Sequence, residues 1–200
     1  MRRRLMLLAL PMLAACSVLP EYPYVEVKRF PLAPRREAPP ARGGRRRVLL
    51  VRLMRSAPSL DTRGLRSLRP DGTESVDFYA EWSAPPAELA EEALRRWLTD
   101  TGLFSAVIVP GSRAQADLVL ETELTALYAD LGRGEARVGL SGVLMRETGS
   151  DSRILAQLSL TGTAPLPPER PLPPEAAAAA MNAAFADALG QLEQRLARYA

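Results

Sequence analysis

Ser141 lies in Gly139-Leu140-Ser141-Gly142-Val143, the nearest this chain comes to a serine nucleophile. A nucleophile elbow needs a second glycine where Val143 stands, and its hydroxyl needs a base. The 200 residues contain no His at all, so the commonest base and the commonest transition-metal ligand are both missing. Glu121/Glu123 and Glu91/Glu92 are the carboxylate pairs a glycosidase could use. On an alternating strand and a helix surface, such pairs read first as solvated faces. Gly132-Arg133-Gly134 is a turn and not a phosphate-cradling loop. A single Cys excludes an internal disulfide or a Cys-rich metal site. The residue types therefore point to a non-catalytic chain with no cofactor.

Cys16 is the exception, because its position carries chemistry. It ends an apolar run from Leu5 to Ala15 that follows Arg2-Arg3-Arg4, the layout of a secretory signal. The run is far short of the ~20 apolar residues of a membrane-spanning helix. Leu13-Ala14-Ala15-Cys16 resembles the bacterial lipobox. That likeness implies cleavage between Ala15 and Cys16, a diacylglycerol on the thiol, and a third acyl chain such as palmitate in many Gram-negative bacteria. Ser17, in place of the Asp that marks inner-membrane retention, favours the periplasmic face of the outer membrane by the same likeness. The plainer alternative is an ordinary signal peptide and an incidental cysteine.

Three of the 26 basic residues are in the leader, so the 185 residues from Cys16 onward balance 23 basic against 23 acidic groups. A nucleic-acid binder would keep a basic excess in its folded part; none is expected here. Residues 22–29 hold a short strand candidate. The stretch 31–47 (PLAPRREAPPARGGRRR) reads as a solvated Pro/Arg-rich linker, or as a basic stretch set against anionic lipid. Residues 48–54 (VLLVRLM) suit a buried strand. Two arms at 62–68 and 75–82 flank Pro70-Asp71-Gly72, a hairpin turn.

Pro85 and Pro86 then open a helix whose apolar stripe runs from Leu89 to Leu98, with Gly102 as its stop. Another short strand is expected at 104–109. Period-two patterns at 118–126, 138–144 and 154–160 predict an antiparallel meander. The Pro-rich segment 165–174 cannot pair within a sheet. Residues 175–199 form a second amphipathic helix with Met181, Ala184, Phe185, Ala188, Leu189, Leu192 and Leu196 on its apolar side. The sum is an α+β fold, a mainly antiparallel sheet with two helices packed on it. Its parts are a signal peptide at 1–15, a lipidated N-terminus with short strand and linker at 16–47, and a domain at 48–200 that the first strand joins.

Ala57-Pro58, Leu60-Asp61, Gly64-Leu65, Tyr79-x-x-Trp82-x-x-Pro85-Pro86 and Gly102-Leu103-Phe104, followed by Ala116-Asp117-Leu118-Val119-Leu120, carry a further likeness. In order and spacing they resemble the ABC-type transport auxiliary lipoproteins, the group that includes the paraquat-inducible lipoprotein C. The resemblance implies a non-catalytic lipoprotein working with an ABC ATPase, a permease and a mammalian-cell-entry (MCE) protein. Such systems move phospholipids or other hydrophobic substrates across the envelope, and homo-oligomers are compatible with the role. A lipid-anchored structural or assembly protein unrelated to transport is the alternative. Tyr79 and Trp82 are the candidate partner-docking aromatics; the competing reading has both capping the core at the helix entry.

Overall fold

The computed structural model describes residues 24–41, 47–148 and 151–200. Ala15, Cys16 and the leader lie outside them, as do Arg42, Arg45 and Arg46. Among the described residues, nine strands make one mixed sheet. They are β1 (Lys28–Phe30), β2 (Val48–Val51), β3 (Arg55–Ser56), β4 (Gly64–Leu68), β5 (Glu74–Trp82), β6 (Ala106–Ile108), β7 (Leu118–Asp130), β8 (Glu135–Thr148) and β9 (Asp151–Pro165). Two helices, α1 (Pro86–Thr101) and α2 (Pro174–Leu196), interrupt and end the series. The expected α+β class holds.

The long strand β7 organises the sheet. On one side it begins the expected meander, antiparallel to β8, which is antiparallel to β9. On the other side β2, β3 and β4 follow one another along its length, all parallel to it. β6 extends the sheet beside β2, and β5 then β1 extend it beside β4. Most paired positions are antiparallel, but this parallel flank was not expected from residues 48–68. Pro165 is a smaller departure: it closes the end of β9 opposite Glu135.

Alternation decides which face is covered. Leu120, Leu124, Leu140, Leu144, Leu158 and Leu160 point to one side and are buried there, as a sheet packed on one face requires. The same side receives the α2 stripe, and all seven of its predicted residues are buried. At Gly162 of β9 the helix backbone lies directly against the sheet. A Cβ there would collide with the carbonyl oxygen of Ala184 and the amide nitrogen of Ala188. Helix α1 starts on Pro85-Pro86 and stops at Gly102, whose φ of 66° takes the left-handed cap. Glu91 of α1 accepts the N–H of Met54 at 2.8 Å, pinning the chain between β2 and β3.

Residues 31–41 correct the linker reading. They form a strap across the helices, with Leu32 buried. Asn182 of α2 accepts the N–H of Ala33 at 2.6 Å and donates to the Pro31 carbonyl at 3.1 Å. Arg36 makes a two-pronged bond to Glu193 at 3.0 and 2.7 Å. The Ala41 N–H reaches the carbonyl of Thr101 at 2.7 Å.

Candidate docking surface

The β4–β5 hairpin turns as its residues dictate. Gly72 has a φ of 84°, and Asp71 accepts both the N–H and the hydroxyl of Thr73. Those bonds favour the carboxylate, so Asp71 titrates below its ordinary range.

Farther along, the pairing fails. Gly64 faces Glu81 and Arg66 faces Val76. A single β4 residue, Leu65, therefore opposes four on β5, Asp77 to Ala80. This is a wide bulge that breaks the alternation of the strand. The Asp77 carboxylate accepts the N–H of Tyr79 at 2.8 Å, holding the bulge in a local turn.

The bulge pushes two consecutive aromatic residues into solvent. Phe78 is 84% exposed and Tyr79 50%. Their rings meet edge to face, 5.8 Å between centroids and 67° between planes, a favoured aromatic geometry. Val76, also exposed, adjoins them in the strand.

Trp82, two residues beyond the bulge, is only 1% exposed and belongs to the core. Its expected docking role is corrected for that reason: an aromatic buried in the core offers a partner no surface. Tyr79 does offer one, and Phe78, which strand parity would have buried with Ala80 and Trp82, joins it. The readable signal was the Phe78-Tyr79 doublet after Asp77, because adjacent bulky aromatics cannot both point into one core face.

Most charges around the bulge are paired, Asp77 being held by the Tyr79 N–H instead. Glu81 receives Arg29 at 2.8 Å and lies 3.5 Å from Arg63, and Arg66 pairs with Glu74. Lys28 reaches Glu175 of α2 at 2.5 Å. Arg29 and Lys28 hold the Glu81 and Glu175 carboxyls below their usual range, chiefly through these hydrogen bonds.

The other singled-out residues lie elsewhere. Ser141 sits on the uncovered face of β8, opposite Glu123 and Ser159, beside a cleft of about 100 Å³. Glu121 is engaged by Arg52, which also reaches Glu147 at 2.8 Å. Glu91 is tied to Met54, and Glu92 to Arg96 at 3.6 Å. A groove of about 640 Å³ runs between the strap and α2, lined by Ala179, Ala183, Ala186 and Gly190 together with Trp97 and Glu193. No group of His, Cys, Asp and Glu among the described residues is placed to hold a metal ion.

Solved structures share this fold. Protein XCC0632 from Xanthomonas campestris, of family DUF330, is similar with a TM-score of 0.68 and 22% identity, over 83% of this chain and 94% of its own. An uncharacterized protein is similar with a TM-score of 0.60 and 13% identity, over 87% of this chain and 98% of that one. Protein CT253 from Chlamydia trachomatis has a TM-score of 0.51 and 9% identity, covering 77% and 98%. At these identities the likeness carries the fold alone. No family model matches the chain, and no curated protein does.

Proposed function

We propose that this chain is a lipid-anchored, non-catalytic accessory protein of the bacterial envelope. It is held by acyl chains on Cys16 at the periplasmic face of the outer membrane, where it serves an MCE-type ABC transport system for phospholipids or other hydrophobic substrates. The observation that carries the anchor is Leu13-Ala14-Ala15-Cys16 closing a basic and apolar leader. No helix of the described residues is long and apolar enough to cross a membrane. Two or three acyl chains, at roughly 0.8 kcal/mol per buried methylene, hold a folded domain firmly at a bilayer. The transport role is supported by the motif order from Ala57 to Leu120.

Physically, such a protein acts by touch. Confinement to a thin layer raises its effective concentration toward a partner that reaches across from the other membrane. Cys16→Ser should leave the precursor uncleaved or release a folded domain from membranes; a processed variant with unchanged membrane fractionation refutes the anchor. Crosslinked capture from membranes should recover an MCE-type protein with its ATPase and permease. Correctly located protein that captures none of them, with envelope architecture altered and lipid flux intact, favours the assembly role.

A further inference from the structure

Among the described residues, seven large apolar side chains are exposed, and five of them lie on β5 or just before its neighbour β1: Tyr24, Val25, Val76, Phe78 and Tyr79. The strand β1 runs parallel beside β5 with Lys28 opposite Ala80. Tyr24 and Val25, just before β1, therefore enter the fold along the edge that carries the bulge. Tyr24 is 89% exposed. Only seven residues separate it from Cys16, and that length of chain spans at most about 26–29 Å even when fully extended.

We propose that this corner seats on the bilayer that carries the protein's own lipid anchor, with Phe78, Tyr79 and Tyr24 in the interfacial layer. The inference rests on the lipidation of Cys16. The tether supplies the occupant, since it keeps the corner within reach of one surface before any partner arrives. Phenylalanine and tyrosine suit that layer because their rings are apolar and the tyrosine hydroxyl stays hydrated.

The local charges select no anionic protein in its place. Lys28, Arg29, Arg63 and Arg66 pair with Glu175, Glu81 and Glu74, and Glu26 and Asp77 add two carboxylates that meet no cation among the described residues, so the corner carries no basic excess. Contact is then apolar and only weakly sensitive to salt. The Asp77–Tyr79 turn and the ring-on-ring contact preset the shape, so little ordering accompanies seating.

The test uses the full lipidated protein in phosphatidylethanolamine–phosphatidylglycerol vesicles containing shallowly brominated phosphatidylcholine. An environment-sensitive fluorophore is attached through Val76→Cys, at the corner, or through Ile154→Cys on β9, four strands away. With Cys16 acylated, each introduced thiol is unique. The label at 76 should lose a large fraction of its emission to the bromines, as expected at the interfacial depth where aromatic side chains sit, and the label at 154 almost none. Adding Phe78→Ser and Tyr79→Ser should abolish the loss at 76 without altering the circular dichroism of the fold, and high salt should leave it in place.

Vesicle-bound, acylated protein with no loss at 76, or with equal loss at both positions, overturns the seating and leaves the anchor standing. Mass spectrometry showing an unacylated Cys16 overturns both. A photocrosslinker at Tyr79 that captures a protein instead of lipid in intact cells overturns the seating in favour of a protein partner.

Discussion

Two strand glycines, Gly162 and Gly64, occupy the same local predicament with opposite outcomes. In each case a neighbour's backbone fills the space a Cβ would take. Behind Gly162 lies α2, with Met181, Phe185 and Leu189 buried beneath it. Behind Gly64 lies the β5 bulge, whose far side is solvent. The first glycine lets a helix lie on a sheet and closes the core. The second lets a strand buckle outward and lifts two aromatic rings off the surface. A glycine within a strand pattern signals close approach, but what approaches decides whether the result is stability or an exposed contact surface.

The sharpest break of this comparison is Gly162→Val. The colliding atoms belong to the α2 backbone, so no side chain can swing aside and the helix must lift. We expect a loss of about 3 kcal/mol or more, the upper end for overpacking. It should appear as a lower urea midpoint or failure to fold. Wild-type stability in this variant would mean that the helix does not rest on β9 at this point.

The strap tests a second contact in the covered half. Glu193 accepts Arg36, whose side chain is only 8% exposed, and the indole N–H of Trp97 at 3.0 Å. Glu193→Ala leaves the Trp97 indole N–H and the Arg36 Nε–H without their acceptor, while Arg36 keeps the carbonyls of Ala38 and Pro39, and should cost about 1–3 kcal/mol. The bond from Arg36 holds the Glu193 carboxyl below its ordinary range, aided by Trp97 and opposed by burial. A carboxyl lowered by folding stabilises the native state fully above its unfolded value, about 4.3, and that contribution fades as pH falls through the lower folded value. The stability gap between wild type and Glu193→Gln should therefore be widest near neutral pH and narrow in acid. Urea titrations at the two extremes check this, and a gap that widens in acid contradicts the pairing.

What could be read from residues alone follows from how local the cause is. The helix from Pro86 to Gly102, the turn at Pro70-Asp71-Gly72, the β7–β8–β9 meander and the α2 stripe are set by nearby spacing and turn chemistry, and all were legible. The strap was not: its Pro/Arg composition reads as solvated chain, whereas its partners Asn182 and Glu193 lie about 150 residues away in sequence. Parallel addition of β2, β3 and β4 along β7 was equally hidden, since each short strand waits for a partner made after α1. On the candidate surface, Tyr79 was legible as an exposed aromatic. Trp82 was not separable from Tyr79 on sequence, and Phe78 was not singled out, because alternation alone does not show the width of a bulge.

The smallest effects belong to the bulge, and their smallness is the point. Gly64→Ala meets the Asp77 carbonyl at 2.6 Å and the side chain of Val76, so the β5 backbone must shift at the bulge, and a cost of about 1 kcal/mol, the low end for overpacking, is expected because no helix is displaced. Phe78→Ser removes a ring that packs on little but Tyr79 and should change stability by less than about 0.5 kcal/mol. Thermal melts of the two variants beside Gly162→Val give the ordering directly. A large destabilisation from Phe78→Ser would show that the ring is structural, folded back onto the core in solution. That result would remove the exposed aromatic corner and with it the contrast between the two glycines.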